Sequence, residues 1–223
     1  MIFAAVLAVC AQTSAVKACA VALVLAIDVS RSVDPGEYRF IQHGTAEAFR
    51  NAEIVELLSW LDGGAYVSVV QWSGPDQQRR IIPWRHVLEP DTVAALAKEI
   101  DTMVRHYRYG LTSPGEALIF SERQFSELPV ACKRRVIDIS GDGIRNIGLV
   151  VGPVADVIEA KGVIINGLVV RGDTPDPLEF YQTEVKRGPL GFVQISKGFD
   201  DFPRAMFLKL LRELSPTLSE LRL

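Results

Sequence analysis

The chain alternates apolar runs of strand length with amphipathic stretches of helix length. Residues 20–27 form an unbroken apolar run that ends in Asp28-Val29-Ser30-Arg31-Ser32. Such a run, bounded by polar residues, reads as a central parallel strand buried on both faces. A helix start follows: Asp34 can cap, Pro35 suits the first helical position, and Glu37 stands three residues after the cap. That helix is predicted to reach about Phe49, with a shorter one over 53–61. After the turn Asp62-Gly63-Gly64, residues 65–73 read as a second strand. Residues 78–82 read as a short third strand, placed at an edge because Pro83 follows. Asp91 is expected to cap a helix through Val104 that carries Val93, Leu96, Ile100 and Val104 on one face. Pro114 opens a helix to about Leu128, residues 135–139 are a strand, and 149–161 a helix. Strands over 163–170 and 191–196 and an amphipathic helix over 201–214 complete the pattern. Residues 178–189 follow neither period.

Strands alternating with helices predict an α/β fold: a doubly wound, mostly parallel sheet with helices on both faces and one short edge strand. Neither a repeat nor a low-complexity linker interrupts it, so residues 19–214 read as one domain and 215–223 as a C-terminal tail. At 223 residues, 48% hydrophobic and 23% charged, the chain is long enough to bury about 70% of its unfolded surface. The formal net charge is −3 and no long basic run occurs, which argues against nucleic acid or an anionic membrane surface as the main partner. Lys133-Arg134-Arg135 reads as a solvated strand end.

Residues 2–9 are wholly apolar and are followed by small and polar residues. Residues 1–15 are therefore expected to be a signal peptide, giving a periplasmic or secreted protein with no membrane insertion after cleavage. No Lys or Arg precedes the run, and the alternative is an uncleaved anchor extending through Ile27. Cys10 would leave with the signal, so Cys19 and Cys132 remain as an even pair. Cys19 lies nine residues before Asp28 and Cys132 ten before Asp142. If those aspartates end neighbouring parallel strands, the cysteines start them at the same height, within disulfide reach.

Ligands of doubly wound folds sit at the carboxyl ends of the strands. Asp28, Ser30 and Ser32, then Thr112, then Asp142 fall there. All are oxygen donors, with no His or Cys among them, which suits a hard cation such as Mg²⁺ (or Mn²⁺ or Ca²⁺) rather than zinc. Alternate residues of an extended loop point the same way, so Ser30 and Ser32 can face one ion.

This D-x-S-x-S motif, with a Thr on a middle loop and a later Asp, resembles the metal-ion-dependent adhesion site (MIDAS) of the von Willebrand factor A (vWA) family. Within it, Trp72-Ser73-Gly74-Pro75, Arg135-Val136-Ile137-Asp138, Ser140-Gly141-Asp142-Gly143, Ile165-Asn166-Gly167-Leu168, Gly188-Pro189 and Gly191-Phe192-Val193 resemble an uncharacterised proteobacterial branch, a domain-of-unknown-function group. The resemblance implies that the Ser30, Ser32 and Thr112 hydroxyls reach the ion, some directly, and that Asp28 and Asp142 hold it largely through water. It implies a non-enzymatic module that docks a protein partner presenting Asp or Glu. The alternatives are a metal-dependent hydrolase using the same residues and a structural domain with a vestigial site. The loops 105–113 and 171–177 are expected to rim the metal face, and Asn146 to support the site or to make a loop turn.

His43, His86 and His106 are scattered and read as surface or satisfied histidines. Trp60, Trp72 and Trp84 read as packing residues, Trp84 half-exposed. Gly141-x-Gly143 lacks the third glycine of a dinucleotide fingerprint, and no P-loop is present.

Overall fold

A computed structural model describes residues 18–215; the expected signal peptide and most of the tail lie outside the described residues. Strand β1 (Cys19–Asp28) leads to helices α1 (Pro35–Arg50) and α2 (Ala52–Trp60). Strands β2 (Ala65–Trp72) and β3 (Gln78–Val87) and helices α3 (Pro90–Thr102) and α4 (Pro114–Gln124) follow. Strand β4 (Cys132–Gly141), helix α5 (Val151–Ala160), strand β5 (Val163–Val170), the short helix α6 (Leu178–Phe180), strand β6 (Val193–Ser196) and helix α7 (Phe202–Leu214) complete the chain. The six strands form one sheet in the order β3-β2-β1-β4-β5-β6. Only the β2–β3 pairing is antiparallel.

Alternation along β1 explains its continuous hydrophobicity. Val21, Leu23, Leu25 and Ile27 join α1, α2, α3 and α7 in one buried layer. Val24 and Ala26 face the other layer, built on α4 and α5. A strand covered on both faces has no position left for a polar side chain. β1 is flanked by β2 on one side and β4 on the other, and the strand order reverses at that seam. Its carboxyl end is therefore the topological switch point, where loops splay apart and leave a crevice.

The capping box is formed. Asp34 Oδ1 accepts from the Gly36 and Glu37 amides, and Glu37 Oε2 accepts from the Asp34 amide. This fixes where the β1–α1 loop ends.

Three expectations are corrected. The edge strand is not short: β3 runs ten residues, through Pro83 to Val87. Its ladder shifts register between the pairs Val69–Ile82 and Val67–Arg85, so Pro83 stands at a bulge on an edge strand, where a missing donor costs little. The Ser68 hydroxyl donates to the Ile82 carbonyl there. Helix α3 is capped at Glu89 rather than Asp91, which lies in the first turn. Trp60 does not pack into the core; it is 79% exposed at the end of α2, whereas Trp72 is buried and its indole N–H donates to the Ala26 carbonyl. The aperiodic stretch resolves into α6 and a π-helical turn, Tyr181–Val185.

Cys19 pairs with Cys132 across β1 and β4, and the two form a disulfide with a Cα–Cα distance of 4.4 Å. The bridge spans 113 residues, so loop-closure entropy gives it about 4–5 kcal/mol. Replacing both cysteines with serine is expected to lower unfolding free energy by about that amount in urea titrations. Reducing agent should leave the midpoint of that variant unchanged while lowering that of the parent.

Candidate metal centre

Three loops meet at the switch point. The first follows β1. Asp28 ends the strand on the crevice floor, 1% exposed, and its Oδ1 accepts the Ser30 amide at 2.7 Å. That bond curls the loop so that Ser30 and Ser32 face the same way, with their hydroxyl oxygens 3.2 Å apart. The second loop brings Thr112, whose Oγ1 lies 3.4 Å from Ser30 Oγ. The third, after β4, brings Asp142, whose Oδ1 accepts from the Ser32 hydroxyl at 2.9 Å. All five residues are thus linked by contacts of 2.7–3.4 Å. Ser30, Thr112 and Asp142 are buried and Ser32 is exposed, so the cluster opens outward at Ser32.

Neighbours hold this arrangement. Asn146 Oδ1 accepts the Thr112 amide at 2.8 Å and its Nδ2 lies 3.4 Å from Thr112 Oγ1, while its own amide donates to the Thr112 carbonyl. It both supports the site and shapes the turn. Arg105 donates to the Val29 and Ser30 carbonyls at 3.0 and 2.8 Å, clamping the first loop from outside. The π-helical turn buries Tyr181 completely behind the site. Gly141 fits between them: a Cβ there would stand 2.5 Å from the Tyr181 hydroxyl and 2.9 Å from Asp28 Oδ2. Sequence reasoning missed Arg105, Gly141 and Tyr181 as site residues.

The electrostatics are unbalanced. Asp28 Oδ2 is buried with no hydrogen-bond partner. Burial, with the neighbouring Asp142 charge, pushes the Asp28 carboxyl up to about 8. Burial pushes Asp142 up to about 6 against the opposing Ser32 hydrogen bond, and the Asp173 charge adds to the rise. Two carboxylates at close quarters, one with an orphaned oxygen, fit a cation. Oxygens adjacent around a cation of the magnesium class lie about 3 Å apart, from metal–oxygen distances near 2.1 Å, comparable to the spacings here. Among the described residues no trio of His, Cys, Asp or Glu side chains gathers to hold a metal; hydroxyls make up the rest of this donor set.

Residues 18–218 match the family described as protein of unknown function, DUF1194. The chain belongs to that family. A search of curated proteins finds no match. Among solved structures, this DUF1194 chain is similar to proximal thread matrix protein 1 from the mussel byssus, at 18% identity and a TM-score of 0.65, covering 89% of this chain and 48% of that one. A second structure of the mussel protein, described as having a zinc-occupied MIDAS motif, aligns at 18% identity and a TM-score of 0.60, over 89% and 46%. A von Willebrand factor type A protein from Catenulispora acidiphila aligns at 17% identity and 0.59, over 87% and 42%. The PilB minor pilin of Streptococcus sanguinis aligns at 11% and 0.64, over 89% and 63%. The DUF1194 chain spans about half the length of the mussel protein chain. At these identities the likeness shows the fold, which is that of a vWA domain.

The raised carboxyl pKa values have a signed consequence. Between the ordinary carboxylate range and about 8 the folded, cation-free chain holds more protons than the unfolded chain, so stability falls as pH rises. The melting temperature of the DUF1194 chain in EDTA is expected to fall from pH 5 to pH 8. Millimolar Mg²⁺ should raise it more at pH 8 than at pH 5, in paired thermal scans. Gly141→Ala, which forces a Cβ against Asp28 and Tyr181, should reduce the Mg²⁺-dependent part of that increase.

Proposed function

We propose that this DUF1194 chain is an exported, metal-dependent protein-binding module of the adhesion type, in which a bound divalent cation docks an acidic residue of a partner protein. The observation that carries the reading is the convergence of Asp28, Ser30, Ser32, Thr112 and Asp142 from three loops into one oxygen-lined cluster, with an orphaned carboxylate oxygen at its floor. Ser30, Ser32 and Thr112 would offer hydroxyl oxygens, and Asp28 and Asp142 negative charge. Mg²⁺ is the ion proposed first, with Mn²⁺ or Ca²⁺ as the related choices. When bound, the cation supplies an electrophilic point that a carboxylate from outside can complete.

The surroundings favour an acidic partner. Beside the cluster lies a cavity of about 540 Å³, walled by Val33, Tyr38 and Met103 and rimmed by Arg31, Arg105 and Arg108. Arg31 and Arg108 are exposed, and Tyr109 on the same rim is 87% exposed. Cations and an aromatic side chain at a rim suit recognition of an acidic segment. Export is supported by the Cys19–Cys132 disulfide, since such bonds persist in oxidising compartments. The vWA fold shared with a minor pilin and the zinc-occupied motif of the mussel protein agree with the reading.

Calorimetry with Mg²⁺ tests the site. The parent should bind one ion, Asp142→Ala should show no binding heat, and Asn146→Ala should bind roughly ten- to a hundredfold more weakly. Heat missing from the parent would favour a vestigial site. Capture of an acidic partner from envelope extract should require the cation and be lost in EDTA. Turnover of phosphoesters that disappears in Asp142→Ala would instead favour a hydrolase.

A further inference from the structure

A second buried polar cluster lies away from the cation site, between β4 and α7. The strand positions of β4 that face α7 include Val136 and Asp138. On α7, Phe202, Met206, Lys209, Leu210 and Glu213 are all buried. Lys209 is 0% exposed, Asp138 2% and Glu213 3%. Lys209 Nζ lies 2.9 Å from Asp138 Oδ1, touches Glu213 Oε1, and stands 4.9 Å from the centre of the Phe192 ring. Glu213 Oε1 also accepts from Asn166 Nδ2 at 2.7 Å, and Asn166 Oδ1 accepts the Phe192 amide at 3.1 Å. The glutamate is therefore held in place from the strand side.

As an ion pair this arrangement is poorly made. Asp138 lies against the amine, yet neither of its oxygens receives a well-directed hydrogen bond, and Glu213 Oε2 has none. Burying one ammonium with two carboxylates carries a large desolvation cost that only complete hydrogen bonding offsets. An amine, a carboxyl and a second carboxyl held together in a buried space against the Phe192 ring are also the reactants and proton carrier of an amide condensation. Fixed contact of reacting groups supplies much of the barrier lowering such a step needs.

We propose that Lys209 and Asp138 condense into an intramolecular isopeptide bond, with Glu213 as proton carrier, joining β4 covalently to α7. The Lys209 ammonium first passes one proton to Asp138, giving the neutral amine and the carboxylic acid. The amine then gives a second proton to Glu213 as it attacks Asp138 Cγ. The Nζ–Cγ bond forms, Glu213 returns the proton to the departing oxygen, the Cγ–O bond breaks, and one water leaves. Nothing is oxidised or reduced, and no further reactant is needed. Burial, aided by the Glu213 charge and opposed by Lys209, pushes the Asp138 carboxyl up to about 7, so the acid form is present at neutral pH. The water can depart toward an adjoining cavity of about 260 Å³ that Asn166, Phe192 and Glu213 line. The neutral amide replaces two buried charges, and exclusion of bulk water from the bond opposes hydrolysis.

Mass spectrometry of the purified, denatured and reduced chain tests this. A protease digest is expected to yield a branched species joining the peptides that contain Asp138 and Lys209, lighter than their sum by one water, about 18 Da. Lys209→Met and Asp138→Ala should yield the two peptides separately, and Glu213→Gln should leave most of the chain unjoined. Recovery of the two peptides unjoined from the parent, with Lys209 fully open to acetylation after denaturation, overturns the proposal. So does a water loss that survives in Asp138→Ala, which would mean another carboxyl reacts. The parent digest decides the matter even if a variant fails to fold.

Discussion

Strands β1 and β4 lie side by side in a register that places Cys19 opposite Cys132 at one end and Ile27 opposite Ser140 at the other. From that pairing Asp28 and the Gly141–Asp142 corner emerge together at the carboxyl edge. A slip of one residue would exchange the two faces of the strand. Asp138 would then point toward α4 and α5, Ile137 and Ile139 would leave their packing layer, and the cysteines would part. The disulfide, the crevice and the buried lysine cluster therefore all depend on one ladder. Hydrophobic burial on both faces makes that register costly to change, because a slip would move every side chain into the opposite layer.

The crevice concentrates negative charge where the sheet offers nothing to offset it. Arg105 is a nearby cation whose charge partly opposes the rise at Asp28, but its guanidinium donates to the Val29 and Ser30 carbonyls and leaves the Asp28 Oδ2 without a hydrogen bond. A buried carboxylate without a partner is expensive in any fold. Here the cost is concentrated at the switch point, beside hydroxyls that share their hydrogen bonds in a chain from Thr112 to Asp142. Such an arrangement fits a fold that holds a positive ligand, so the electrostatics support the proposed cation alongside the motif.

Much of this was legible in the residue pattern, for definite reasons. Continuous apolar runs mark strands covered on both faces, so β1 and β5 could be placed closely. The capping residues Asp34 and Pro35 announce α1. The five cluster residues stand out because polar residues directly after buried strands are conspicuous. What supports the cluster was not legible: Tyr181 lies in a π-helical turn that fits neither period, and Arg105 acts through backbone carbonyls that carry no sequence signature. Pro83 misled because a bulge absorbs the missing donor. Lys209 and Glu213 did leave a signal. They occupy positions of the α7 stripe set by Phe202 and Met206, where an apolar residue is expected, and a charged pair there points to a buried partner on the facing strand.

Asp138 within β4 and Asp142 just past its end show why rigidity of this strand matters to the proposed site. Asp142 contributes charge at the crevice, but three of the five donors there are neutral hydroxyls. Hydroxyl ligands attract a cation less strongly than carboxylates do, so affinity must come from holding them in place before the ion arrives. β4 is positioned for that task. Cys132 ties its start to β1, its middle is packed on both faces, and Asp138 meets α7 four residues before Asp142. If the proposed amide joins Asp138 to Lys209, both ends of the approach to Asp142 are covalently fixed. The oxygen cluster is then preorganised by bonds that lie far from the crevice, in the body of the sheet.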